Sequence, residues 1–164
     1  MKRKRYVRLF LTVIVIAVIT ACSSYNYSVS ITSDSDDIES VEMYFFGIPS
    51  GEFENMKMVT YDDFWMKVFN SKGEYPVNRK FFYFGPETTK TQSLDYNDNA
   101  WSVWKDTDMK YLSIVAYSPD FTDSSRKDTD WKKIIRLRHF NWWWSSNEKL
   151  NVNLSNGVLD IKEE

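Results

Sequence analysis

The chain is short of the residue types from which most reactive sites are built. Its 164 residues include one Cys and one His. A single cysteine permits no intramolecular disulfide, no CxxC redox pair and no thiolate zinc cluster. A single histidine, His139, leaves a histidine metal site or a Ser/His/Asp triad without its parts, and between Arg138 and Phe140 it reads as a surface or edge residue. Glycine (5) and proline (4) are scarce as well. What is abundant is aromatic: 7 Trp, 10 Tyr and 11 Phe make 17% of the chain, within a hydrophobic share of 43%. That composition argues for a packed core over disorder, and the length suits one domain.

Long hydrophobic runs are also missing. Lys2, Arg3, Lys4, Arg5 and Arg8 precede the apolar segment Leu9 to Ile19, five positive charges and no acid ahead of 11 residues. That order is a signal-peptide profile. The stretch from Val7 to Ala21, interrupted by Arg8, falls short of the roughly 20 apolar residues a membrane-spanning helix needs. Ile19-Thr20-Ala21-Cys22 resembles the lipobox of bacterial lipoproteins. Small side chains ahead of the cut let a peptidase approach the backbone, and the thiol is the nucleophile that accepts the diacylglycerol. The resemblance implies removal of residues 1–21, lipidation of Cys22, a short tether over 22–24 and a periplasmic domain over 25–164. With Ser23 rather than Asp after the cysteine, it implies the outer membrane. Several acyl chains on one residue, at ~0.8 kcal/mol per buried methylene, make an effectively permanent anchor. Beyond this covalent lipid no cofactor is expected.

Without the leader the chain keeps 16 basic and 23 acidic residues, a net charge of −7. That sign is wrong for a nucleic-acid binder, which needs a basic patch to displace counterions from phosphate. It also argues against electrostatic attachment to anionic lipid, leaving the acyl chains to do the anchoring.

Along the mature chain, Tyr25, Tyr27, Val29 and Ile31 alternate with polar neighbours, the pattern of a half-buried strand. Residues 33–40 (SDSDDIES) are polar and acidic and read as a loop. Val41, Met43 and Phe45 begin a second strand, closed by Gly47, Pro49 and Gly51. Thr60-Tyr61-Asp62-Asp63 is a capping pattern ahead of Phe64, Trp65, Val68 and Phe69, which predicts a short amphipathic helix over Tyr61 to Asn70. Further strands are predicted over Lys80 to Phe84, Thr91 to Tyr96 and Trp101 to Trp104. The nearly apolar run Tyr111 to Tyr117 predicts a central strand buried on both faces. Trp131 to Leu137 and Phe140 to Trp144 read as one or two more strands, and Leu150 to Ile161, with a turn at Ser155-Asn156-Gly157, reads as a hairpin. Short strands with one helix and no parallel βαβ rhythm give an all-β fold, an antiparallel two-sheet β-sandwich with one short inserted helix.

Few constellations carry chemistry. Asp95, Asn97, Asn99 and Asp106 match part of a calcium-loop spacing, but Ala100 stands where the sharp turn wants Gly. Asp120, Asp123, Asp128 and Asp130 are interrupted by Arg126 and Lys127 and read as a solvated loop. Asp62 and Asp63, neighbours on a helix, point about 100° apart and serve its positive end better than acid-base catalysis. The chain is expected to be no enzyme. Trp142, Trp143 and Trp144 place Phe140, Trp142 and Trp144 on one strand face and Trp143 on the other. They are either core or an aromatic platform for a glycan, a partner or the lipid interface.

The order of these features resembles the TssJ (SciN-type) lipoproteins of type VI secretion systems: a lipobox, a strand almost at once, a loop, a second strand, an aromatic helix, YLSIVAYSPDF, the Trp131-Lys132 pair, and the terminal hairpin LNVNLSNGVLDIK. The resemblance implies a transthyretin-like β-sandwich at the periplasmic face of the outer membrane that docks the periplasmic part of an inner-membrane TssM-like protein. It also implies that the loop between the first two strands makes the contact, here Asp34, Asp36, Asp37, Ile38 and Glu39. That loop is shorter than in many members and lacks their Asn-Pro-Asp-like element. Four carboxylates around one isoleucine suit a basic patch, a pattern that sets orientation and on-rate more than affinity. On the residues alone the same stretch also reads as a solvated turn. From a different class, the tryptophans would serve a sandwich lipoprotein that binds a glycan or other small ligand.

Overall fold

The structure is a computed structural model that describes residues 27–33, 40–72, 74–118, 130–138, 148–155 and 158–163. Strands β1 (Tyr27–Ser33), β4 (Thr91–Leu94), β7 (Glu148–Ser155) and β8 (Val158–Glu163) form one sheet in the order β4-β1-β7-β8. Strands β2 (Val41–Ile48), β3 (Lys80–Phe84), β5 (Tyr111–Tyr117) and β6 (Lys132–Arg136) form the other in the order β3-β2-β5-β6. Among the described residues all pairings are antiparallel except β1 with β7, which run parallel from Tyr27↔Glu148 to Ser33↔Leu154. The architecture is the expected two-sheet β-sandwich, with that single parallel ladder added.

The core follows from period-two alternation. In β1 the buried Tyr27, Val29, Ile31 and Ser33 alternate with half-buried Ser28, Ser30 and Thr32. Register then carries the pattern across the sheet, setting Val29 beside Leu150 and Ile31 beside Val152. In the facing sheet Met43 and Phe45 stand opposite Ala116 and Ile114. As predicted, β5 is central and buried on both faces, since Ser113 and Val115 on its other side are as enclosed as Leu112 and Ile114. Each buried Val, Leu, Ile, Phe or Met side chain contributes roughly 1.5–3 kcal/mol.

The helices cover what the sandwich leaves open. The predicted helix lies over Tyr61–Asn70 and is here α2. Thr60 caps it by accepting from the Asp63 N–H at 3.2 Å while its hydroxyl donates to the Asp63 carboxylate at 2.8 Å. Ahead of it, Pro49 opens a 3-10 turn over Ser50–Glu52 that runs into α1 (Phe53–Met58). These two helices lie on the outer face of the β3-β2-β5-β6 sheet, where Phe64 stacks on Phe46, Trp65 tilts against Tyr44, and Phe53 stacks on Tyr111 at 4.4 Å between centroids. A third helix, α3 (Asn99–Asp106), replaces the strand predicted over Trp101 to Trp104. Asp98 caps it by accepting from the Ala100 N–H at 2.9 Å. Residues three apart then share a helical face, so Trp101 and Trp104 both point into the sandwich, Trp101 stacked on Tyr27. The inserted helices among the described residues are therefore three, not one. Two strands are also shorter than predicted, ending at Leu94 in one case and excluding Trp131 and Leu137 in the other.

Candidate functional site

Strand directions give the sandwich two distinct ends. At one end lie Ser33, Val41, Phe84 and Thr91, tied by the Ser33 N–H donating to the Lys90 carbonyl at 2.9 Å and by the pairs Val41↔Phe84 and Thr32↔Thr91. The strands flanking residues 34–39 meet there. Tyr27, Ile48 and Lys110 lie at the opposite end. The Arg138 N–H donates to the Tyr27 hydroxyl at 3.0 Å, and the Leu137 N–H to the Lys110 carbonyl at 2.8 Å. Burial pushes the Tyr27 phenol up to about 12, so it stays a neutral hydrogen-bonding group.

Three features of the described residues go beyond a plain sandwich. The first is a cavity of about 400 Å³ at the Tyr27 end of the helical layer, walled by Phe46, Ile48, Met56, Val59, Phe64 and Met109, with Glu52, Asn55, Lys67 and Tyr75 also lining it. The second is Lys132, buried beneath α1, whose ammonium donates to the carbonyls of Met56 (3.2 Å), Lys57 (2.9 Å) and Val59. It satisfies carbonyls that a helix C-terminus leaves without partners. The third is an aromatic cluster on the outer face of the β3-β2-β5-β6 sheet. There Phe69 and Phe81 are 59% and 46% exposed, while Tyr44 and Trp65 beneath them are buried. Burial, with Glu42 accepting from the hydroxyl at 2.9 Å, raises the Tyr44 phenol to about 12. Among the described residues no group of three or more His, Cys, Asp or Glu is placed to hold a metal ion. Asp95 and Asn97 lie ahead of the α3 cap, and Asn99 and Asp106 are that helix's first and last residues.

No family model and no curated protein sequence matches the chain. Solved structures do. Serratia marcescens Lip, a membrane-bound component of the type VI secretion system, superposes with a TM-score of 0.55 at 13% identity, covering 86% of this chain and 98% of its own. The type VI lipoprotein TssJ1 from Pseudomonas aeruginosa gives 0.54 at 9% identity, covering 86% and 97%. A type VI membrane complex gives 0.50 at 10% identity, covering 83% and 96%. The chain has the TssJ lipoprotein fold.

On this TssJ-type fold, the residues singled out in the sequence, namely Cys22, the acidic set Asp34, Asp36, Asp37, Ile38 and Glu39, and the run Trp142, Trp143 and Trp144, lie outside the described residues, as do His139, Asp120, Asp123 and Asp128. What the fold does fix is the position of their neighbours. Tyr27, five residues after Cys22, begins at one end, and the strands bounding the acidic segment meet at the other. Of the cavity residues, Phe64 lies on the helix its capping pattern predicts, whereas those around α1 carry little sequence signal because that helix is only six residues long, too short for a period to stand out. Met56 and Val59, three apart behind Pro49, were the trace available.

Proposed function

We propose that the chain is the lipoprotein of a type VI secretion membrane complex, held to the outer membrane by acyl chains on Cys22. Its acidic segment, with Asp34, Asp36, Asp37, Ile38 and Glu39, docks the periplasmic part of an inner-membrane TssM-like protein. The observation that carries this reading is the fold shared with TssJ1 and Lip over 86% of the chain, joined to the leader and cysteine at its start. The two-ended geometry supports it, because Tyr27, five residues after Cys22 in the sequence, lies at the end opposite the one where β1 and β2 flank the acidic segment. A domain tethered at one end presents the other to a partner reaching across the periplasm. The work is mechanical and non-catalytic, a covalent lipid on one side and a protein contact on the other.

The test is co-isolation of the membrane-anchored protein with the periplasmic part of the TssM-like protein made in the same cells. Wild-type chain should retain the partner, and the double variant Asp36→Lys, Asp37→Lys should lose most of it while staying in the membrane fraction. Equal recovery with both would remove the acidic segment from the interface.

A further inference from the structure

The cavity at the Tyr27 end is unusual in its rim as well as its walls. Its floor is apolar, with Phe46, Ile48, Met56 and Met109 among the lining residues, and Val77 on its edge is 68% exposed. Two opposite charges stand at the mouth. The Lys67 ammonium lies 4.1 Å from the centre of the Tyr75 ring, and among the described residues the Glu52 carboxylate accepts from the Asn55 amide at 3.1 Å. Neither Lys67 nor Glu52 forms an ion pair with the other or with any described residue. Burial and the nearby Glu52 carboxylate both push the Tyr75 phenol upward, so the ring between the charges stays neutral.

We propose that this groove receives one acyl chain of a zwitterionic membrane phospholipid, with the phosphate against Lys67 and the ammonium against Glu52. A fatty acid would match only Lys67, and a purely apolar ligand neither charge. Position selects lipid over peptide, an argument that rests on the anchoring reading above. Cys22 precedes Tyr27 by five residues, so the backbone carrying the acyl group is held within ~18 Å of this end at full extension. The contact would fix the tilt of the sandwich on the membrane by adding a second point of attachment to the one at Cys22.

The experiment uses the full-length chain in growing cells, with a benzophenone amino acid at Val77 and ³²P-phosphate labelling of lipids. The diacylglycerol on a lipoprotein cysteine carries no phosphate, so a ³²P-labelled, irradiation-dependent adduct reports phospholipid and not the protein's own anchor. The adduct is expected at Val77 and absent from exposed Thr89 at the far end. It should be weaker at exposed Ser102 on α3, which shares the Tyr27 end. Lys67→Glu should lower it about fivefold, and the double exchange Glu52→Lys, Lys67→Glu should restore it. Equal labelling at Ser102, no effect of Lys67→Glu, or a protein-sized adduct at Val77 would each overturn the proposal, the last in favour of a docked polypeptide. Palmitate incorporation without irradiation reads the anchor separately. A chain that takes no palmitate yet gives the Val77 adduct loses the anchoring reading and keeps the groove, and the reverse result does the opposite.

Discussion

Lys132 is the residue whose role departs furthest from what its type implies. In the sequence it belongs to a basic pair after Trp131, and basic side chains are rarely enclosed. Here it is buried and its ammonium gathers three carbonyls at the end of α1, including one beyond the helix at Val59. A six-residue helix has little stability of its own, so this contact is a principal tie between α1 and the sheet. Replacing Lys132 with Met keeps the length of the side chain and strips the donors, leaving buried carbonyls without partners. The expected loss is about 2–4 kcal/mol, measured from the denaturant midpoint at unchanged slope. A loss below ~0.5 kcal/mol would show that water satisfies those carbonyls. Gly47 is likewise set by distant contacts. In the sequence it reads as a strand stop, yet it lies inside β2, where an added Cβ would stand 2.5 Å from Met109 Cγ and 3.1 Å from Trp104 Cδ1. Its reason is close approach from a helix and loop 57 or more residues away, which no local pattern encodes.

Among elements, the ones with a strong period were legible. The β1 alternation, the apolar β5 run and the capped α2 helix all lie where their residues predict. At α3 local propensity and tertiary packing disagree. Asn99 to Asp106 is eight residues long, and Trp101, Val103 and Trp104 are the types that favour a pleated surface. What decides for the helix is the cap and tertiary packing, with Asp98 accepting from the Ala100 N–H and pairing with Lys80 at 2.5 Å. Burial alone would raise the Asp98 carboxyl, but the Lys80 ammonium and the Ala100 N–H outweigh it and hold it below its ordinary 3.8. A carboxylate favoured in the folded state adds stability that is whole above pH ~4 and fades as the pH falls below it. Asp98→Asn should therefore cost about 0.5–1.5 kcal/mol at neutral pH and progressively less as the pH is lowered below 4, as followed by thermal melts across that range. A cost independent of pH would mean that the cap matters and the charge does not.

Across the described structure, three layers share one kind of polar group, a tyrosine hydroxyl on a buried or half-buried ring. Tyr27 sits at the sandwich end against Trp101, Tyr44 lies between sheet and α2, and Tyr61 on α2 donates to the Ser118 carbonyl at 3.2 Å and stacks on Tyr117. These long-range placements were not legible in the sequence, since they depend on how β1, a central β2 and α2 come together across the chain. Burial leads in raising all three phenols, Tyr27 and Tyr44 to about 12 and Tyr61 further. An unfolded tyrosine ionises near 10, so the folded state binds these protons more tightly. Their contribution is whole below pH ~10 and is lost as the pH rises through 12. A two-unit shift corresponds to about 2–3 kcal/mol per group, and a domain of this size is stable by only about 5–15 kcal/mol. The layers should therefore fail together between pH 10 and 12, with late phenolate absorbance near 295 nm appearing as the near-ultraviolet dichroism of the packed tryptophans disappears. Tyr44→Phe removes one titrating group and should move that coupled midpoint to higher pH. Phenolate signal from every tyrosine at full native dichroism would instead mean that the layers open to solvent without unfolding.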